Sequence, residues 1–482
     1  MAADRRRAHL MASVRRVLLS LGLGLFVQRG AQLIALLVLA RTLGEAATGV
    51  HAQGAAVAAL LAMAAAAGMR NPVARALARE PDAARAWLRA AVRLRLERAL
   101  VLAAATIAVA WAASASPWFW TLWALQSLPA AWDLKYLADA ALRTRREVAI
   151  ENVASASAAV ATCAWLALGG TDLTVLAGLH LGCRLLYAGA ALHTIAALPG
   201  AGAGPDLAAL RREARALSWS QMFGCLCVEG DVWLIARLGG DAVAGLYAVA
   251  QRLASAAGMP TVQLTRLLFA HQLHAAQRGD ARRTIRVSLR ATALVLLPML
   301  AGGAVVAGDL CGLFGAPFRA AAPALAWMLA AVTLQHLGWQ GLMALLARGD
   351  DRGYTRALWV QSGVQLLGML ALVPAFGAVG AAFAAALSHG AGAGVALWPC
   401  RAAVRPLDWL RGPTLVAGGT GLAVSLCGAG IAAFAGPWSR SALLPAQLVA
   451  GALAALLGIW TVELRRRWRR IGAGLSEASG LR

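Results

Sequence analysis

The stretch Ala40-Arg41-Thr42-Leu43-Gly44-Glu45-Ala46-Ala47-Thr48-Gly49-Val50-His51-Ala52 returns as Ala236-Arg237-Leu238-Gly239-Gly240-Asp241-Ala242-Val243-Ala244-Gly245-Leu246-Tyr247-Ala248. Both copies read Ala-Arg-x-x-Gly-acid-Ala-x-x-Gly-aliphatic-x-Ala, and both fill the polar gap between two long apolar runs. A repeat of this length among apolar runs predicts a membrane protein made of two equivalent halves, a plan that lets the halves rock about a site held between them.

Composition agrees with a membrane protein. The 482 residues are 60% hydrophobic and only 14% charged, with mean hydropathy +0.65, too apolar for a water-soluble chain of this size. Helices need about 20 apolar residues to cross a bilayer, and on that basis about fourteen spans are expected. They run over 17–40, 48–69, 99–116, 118–141, 148–169, 173–198, 216–238, 243–269, 287–309, 323–347, 355–374, 378–400, 413–435 and 442–464. Pro117 and Pro129 interrupt the third and fourth. The first run is long enough to span and lacks a convincing cleavage site, so no removable leader is expected.

The net charge of +23 does not imply a nucleic-acid partner. With the N-terminus in the cytoplasm, most of the 45 basic residues fall on cytoplasmic connections, and only Arg41, Arg237, Arg319 and Arg440 fall outside. That asymmetry orients spans and predicts both ends inside, against membrane lipids. Seven cysteines show no CxxC and no ligand spacing, and no metal or cofactor is expected. The connection at 70–98, with Arg85, Arg89 and Arg93, reads as an amphipathic helix lying on the inner surface.

Six spans separate the two motif copies, so both copies face the same side and the halves are parallel repeats. The expected layout is a first lobe over 1–198, a flexible linker over 199–215, a second lobe over 216–411, and two peripheral spans with a basic tail over 412–482. Within each hairpin, Gly44 and Gly240 end one helix in a left-handed turn, and Glu45 and Asp241 suit the start of the next. Gly49 and Gly245 are expected to let each hairpin close tightly.

On these residues the chain resembles the oligosaccharide and polysaccharide flippases, the O-antigen-type exporters of the multidrug/oligosaccharidyl-lipid/polysaccharide exporter superfamily. The resemblance is carried by Leu37–Gly44, by Gly230–Arg237 running into Gly240–Ala248, by Leu313-Phe314-Gly315-Ala316-Pro317-Phe318, and by Val373-Pro374-Ala375-Phe376-Gly377-Ala378-Val379-Gly380. It implies a V-shaped helical transporter of a bacterial inner membrane, moving a polyprenyl-diphosphate-linked glycan outward. It also implies working partners among polysaccharide polymerases and glycosyltransferases. The cargo (O-antigen, lipopolysaccharide, exopolysaccharide or another precursor) has no motif. The chain departs from the family in its abundance of Ala and Arg, Lys135 being its single lysine.

Charges inside spans cost roughly 2.5–3.5 kcal/mol each on insertion scales, so they mark protein interiors or water-filled cavities. Span one carries Gln28, Arg29 and Gln32; span seven carries Gln221, Cys225 and Glu229, with Asp231 on another face. Span eight aligns Arg252, Ser255, Met259, Gln263 and Arg266 on one face, its two arginines about 21 Å apart along the axis. Arg29, Arg252 and Arg266, with Gln28, Gln32 and Gln263, are the expected ligands of a diphosphate, which suits guanidinium forks. Glu229 and Asp231 are candidates for coupling or structural roles. Lys135 and Asp139 form an i, i+4 pair, and Arg184 and Glu151 are a possible pair between spans six and five.

Two competing classes differ in what they require. A cation-coupled multidrug or metabolite exporter of the same superfamily calls for acidic residues to dominate the cavity, whereas arginines dominate here. A membrane glycan polymerase or ligase calls for a sizeable external loop with convergent polar groups, and no connection is long enough. No GxxxxGK[ST] occurs, which argues against ATP hydrolysis by this chain.

Overall fold

The computed structural model describes residues 2–69, 72–73, 76–77, 80–132, 144–198, 206–277, 281–401 and 410. Among these every regular element is helical. The helices are α1 (Ala2–Ala66), α2 (Ala84–Ala113), α3 (Pro117–Leu125), α4 (Thr144–Ala167), α5 (Leu173–Ala196), α6 (Leu207–Glu229), α7 (Asp231–Gly239), α8 (Asp241–Gln277), α9 (Ala281–Val305), α10 (Ala307–Gly312), α11 (Ala322–Ala347) and α12 (Asp351–Leu397).

Among the described residues, seven stretches are long and apolar enough to cross a membrane: Val27–Ala66, Ala84–Ala113, Ala149–Ala167, Leu173–Ala196, Arg283–Val305, Ala316–Ala347 and Asp351–Cys400. Two hold a pair of spans each, because α1 folds back at Gly44 (φ 79°) and α12 at Gly377 (φ 54°). Spans seven and eight coincide with α6 and α7 together and with α8. The first is cut at Gly230 between α6 and α7, and α8 carries Arg252 and Arg266. Spans thirteen and fourteen lie outside the described residues.

The repeat is visible in the backbone. Gly44 and Gly240 both take the left-handed conformation (φ 79° and 91°) that only glycine adopts freely, and Thr48 locks the first turn by donating to the Gly44 carbonyl at 2.7 Å. A second pair, Gly169 (φ 81°) and Gly377, turns spans five into six and eleven into twelve in the same way. Gly49 and Gly245, however, do not tighten their own hairpins. A Cβ on Gly49 would run into the Asp241 carbonyl, and one on Gly245 into that of Glu45. The two glycines let span two and span eight cross backbone to backbone, joining the halves.

Three other expectations change. Ala84–Ala113 is one continuous helix, so Arg85, Arg89 and Arg93 lie on its first turns and share a helix with span three. Arg98 of the same helix donates to the Ala67 carbonyl at 2.7 Å, closing the end of span two. Pro117 opens α3, where its missing N–H costs nothing, and Pro129 starts a 3-10 turn over Pro129–Trp132. The expected linker over 199–215 is helical from Leu207 onward, and Leu210 and Ala214 pack with Leu88, Ala91 and Tyr187 of the first half.

Candidate functional site

The central charges are positioned by breaks and crossings in the helices that carry them. Arg29 sits midway along the first limb of α1, where its Nη1 donates to Gln32 Oε1 at 3.1 Å. Its Nε is buried and finds no partner among the described residues. Arg252 projects from α8 as an exposed residue, although Val249, Ala250 and Ala254 around it are fully buried. Arg29 lies within electrostatic range of Arg252, Glu229 and Glu151, and Glu229 feels both arginines. One half thus supplies Arg29 and Glu151 and the other Arg252 and Glu229, and Arg29 lies within electrostatic range of the other three.

Glu229 ends α6 and Asp231 begins α7, so the acidic pair straddles the helix break. Broken helices at mid-membrane are where transporters of repeat design place binding groups, because freed backbone and side chains face a shared interior. The two acids have different surroundings. Asp231 is 4% exposed and accepts from the Val232 N–H at 2.7 Å, the Tyr247 hydroxyl at 2.7 Å and the Gln251 amide at 3.0 Å. Both its oxygens are engaged within the second half, tying α7 to α8. Glu229 lies within electrostatic range of both Arg29 and Arg252.

The remaining expected residues separate. Gln32 stays with Arg29. Gln28 turns to α4, donating to Glu151 Oε1 at 3.4 Å and Ser155 Oγ at 3.1 Å. Glu151 therefore meets span one, while Arg184 is exposed on α5 beside His180. Lys135 and Asp139 lie outside the described residues, as do the side chains of Gln221, Cys225, Gln263 and Arg266.

A second group was not legible as a site in the sequence. His51 of span two lies with its ring 5.3 Å from both Trp123 and His180, and Trp123 is 5.4 Å from His180. His180 meets Thr162 at 3.0 Å. The available signal was the repeat itself, since His51 occupies the motif position that holds Tyr247 in the second copy.

Both ends of the central region are tied. At the hairpin end, Ala40 and Val249 pack with Phe314 and Phe318, and Arg41 Nε donates to the Leu313 carbonyl at 2.6 Å, reaching from the first half to the second. Gln53 Nε2 donates a hydrogen bond to Asp241 Oδ1 at 2.8 Å beside the glycine crossing. At the opposite end, Ser218 donates to the Ala67 carbonyl at 3.0 Å, and Arg211 pairs with Glu97 at 2.7 Å.

The helical fold is shared with solved structures of membrane transporters and a flippase. Particular solved structures that share it are the lipid II flippase MurJ in an inward closed conformation (TM-score 0.73, 10% identity, 91% of this chain and 98% of that one) and a multidrug resistance MATE family transporter in an inward-facing conformation (TM-score 0.61, 12% identity, 78% and 94%). A third is a MOP superfamily transporter from Pyrococcus furiosus whose binding pocket of reverse polarity suggests a different function (TM-score 0.58, 12% identity, 80% and 95%). No protein-family model matches the chain, and no curated protein matches it by sequence.

Proposed function

We propose that this chain is an inner-membrane flippase that moves a polyprenyl-diphosphate-linked oligosaccharide, a cell-surface polysaccharide precursor, by alternating access of two lobes. The observation that carries this reading is the placing of Arg29 and Arg252, from opposite halves, within electrostatic range of each other, with the buried Arg29 Nε–H unpartnered among the described residues. Two guanidinium groups held near each other repel, and an anion placed between them relieves that repulsion while accepting bidentate hydrogen bonds. A diphosphate bound there bridges the lobes, so its arrival and release can be linked to their opening and closing. Glu229 limits the net positive charge of the empty site. Arg266 lies further along the same helix, its side chain outside the described residues.

In this reading the hairpin end is the external face, and the chain's ends are cytoplasmic. The similarity to a lipid II flippase supports the lipid-linked class of cargo, and the third structure shows that this fold accommodates pockets of different polarity. A cation-coupled multidrug exporter is the second reading, supported by the MATE neighbour; the two arginines disfavour a cationic cargo. The test is glycan export per molecule of membrane-inserted protein. Arg29→Ala and Arg252→Ala should each lower it strongly, by about tenfold or more, and the lysine variants should recover part of it because charge survives without the fork. Normal export by both alanine variants would contradict the proposal.

A further inference from the structure

The two central arginines leave a polar face of the first half without a role. It belongs to α4, whose Glu151, Ser155 and Thr162 stand at i, i+4 and i+11 and so share one side of the helix. Gln28 of α1 meets that side at Glu151 and Ser155, and His180 of α5 meets it at Thr162. Helices α4 and α5 run in opposite directions about the turn at Gly169. One turn further from that turn than the Thr162–His180 contact, Ala158 on α4 comes level with Arg184 on α5.

Arg184 is the residue that needs an explanation. It sits midway along the apolar stretch Leu173–Ala196, about 17 Å from either end, too far for its side chain to snorkel to an interface. It is exposed, and no carboxylate pairs with it among the described residues. Contact with lipid does not account for that exposure. Ala177, Tyr187, Ala188 and Ala191, which share its stripe of α5 at three-, four- and seven-residue spacings, are all buried, whereas the exposed leucines Leu185, Leu186 and Leu192 occupy the other side. An arginine that is accessible on the inward stripe of a span lines a water-filled groove.

We infer that this groove receives the sugars of the cargo and that Arg184 pairs there with a carboxylate, so that the glycan carried is acidic. This rests on the flippase reading and names the substrate class of the same site. The amide of Gln28, the hydroxyl of Ser155 and the imidazole of His180 suit sugar hydroxyls, which both donate and accept. None of them neutralises a guanidinium, whose fork takes a carboxylate through two parallel hydrogen bonds. Glu151 does not serve Arg184, because it accepts from Gln28 and lies within electrostatic range of Arg29. Gln28 also connects the two regions, being next to Arg29 in sequence and bonded to Ser155. A glycan leading away from a diphosphate held at Arg29 passes Ser155 before it comes level with Arg184.

The test compares two cargoes on the purified full chain, polyprenyl-diphosphate-linked disaccharides ending in glucuronate or in glucose, with retention followed by native mass spectrometry. Wild type should retain the glucuronate-ended lipid at least about tenfold better, the effect of one charge-assisted pair. Arg184→Gln should bring that ratio to one, and Arg184→Lys should keep part of it. Arg29→Ala/Arg252→Ala should weaken both lipids and preserve the ratio. A wild-type ratio of one, or an unchanged ratio in Arg184→Gln, would overturn the subsite. Failure to retain either lipid would count against the flippase reading instead, and free sugars then decide the subsite. In the full chain with its native cysteines replaced, Ala158→Cys should react with a water-soluble thiol reagent. Glucuronate should slow that reaction and glucose should not, and the difference should vanish when Arg184→Gln is added. No reaction, or equal slowing by the two sugars, would overturn the subsite whatever the cargo.

Discussion

At the scale of single residues, the adjacent acids Glu229 and Asp231 show how one helix break creates two roles. Asp231 is held by three donors inside the second half, whereas Glu229 lies within electrostatic range of arginines from both halves. Tyr247→Phe removes one donor from Asp231 and should destabilise the purified protein by about 1 kcal/mol, the usual worth of such a bond in a membrane protein. Thermal unfolding in detergent measures it, and an unchanged midpoint would mean that the Asp231 network is not structural. The costly arginines were legible in the sequence because any charge deep in a span demands a reason. The direction of Gln28 was not. It shares a helix with Arg29, but a rotation of about 100° per residue carries it toward Glu151 and Ser155 of α4, a helix whose placement local pattern does not reveal. His51 falls within the repeat, but a lone histidine on an apolar span does not announce partners on spans four and six.

At the scale of elements, the repeated hairpins were readable and their crossing was not. Glycine at a helix end marks a left-handed turn from sequence alone, and Gly44 and Gly240 take that conformation. Gly49 and Gly245 are spaced to close a hairpin equally well or to admit another helix, and only the packing decides. Gly49→Val or Gly245→Val should push α8 and the second limb of α1 apart, since each added side chain enters the backbone of the facing helix. The expected result is a protein that inserts normally, reacts more readily with thiol reagents at the hairpin end, and loses most of its export. Gly30→Ala, with nothing within 4 Å of an added Cβ, should do neither. Equal behaviour of the two kinds of variant would remove the crossing from the account. The segment before Ala113 misled for a related reason: arginines alternating with apolar residues fit a surface helix, but the same helix continues into span three.

At the scale of the whole molecule, length and apolar composition determine a many-span helical protein, and the repeat makes it two-lobed. Topology has its own check: cysteine introduced by Arg319→Cys should react with an impermeant reagent from outside the cell, and by Arg282→Cys only from the cytoplasm. Reaction of both from one side would refute the span order. The claim on which the rest depends is that the two lobes meet around an anion. Binding of polyprenyl diphosphate to the purified protein, followed by native mass spectrometry, tests it most directly. Wild type should retain the lipid, Arg29→Ala/Arg252→Ala should weaken retention by about tenfold or more, and the paired lysine variant should fall between them. Equal retention by the alanine variant, or a preference of the wild-type protein for a lipophilic cation, would contradict an anionic cargo held between Arg29 and Arg252.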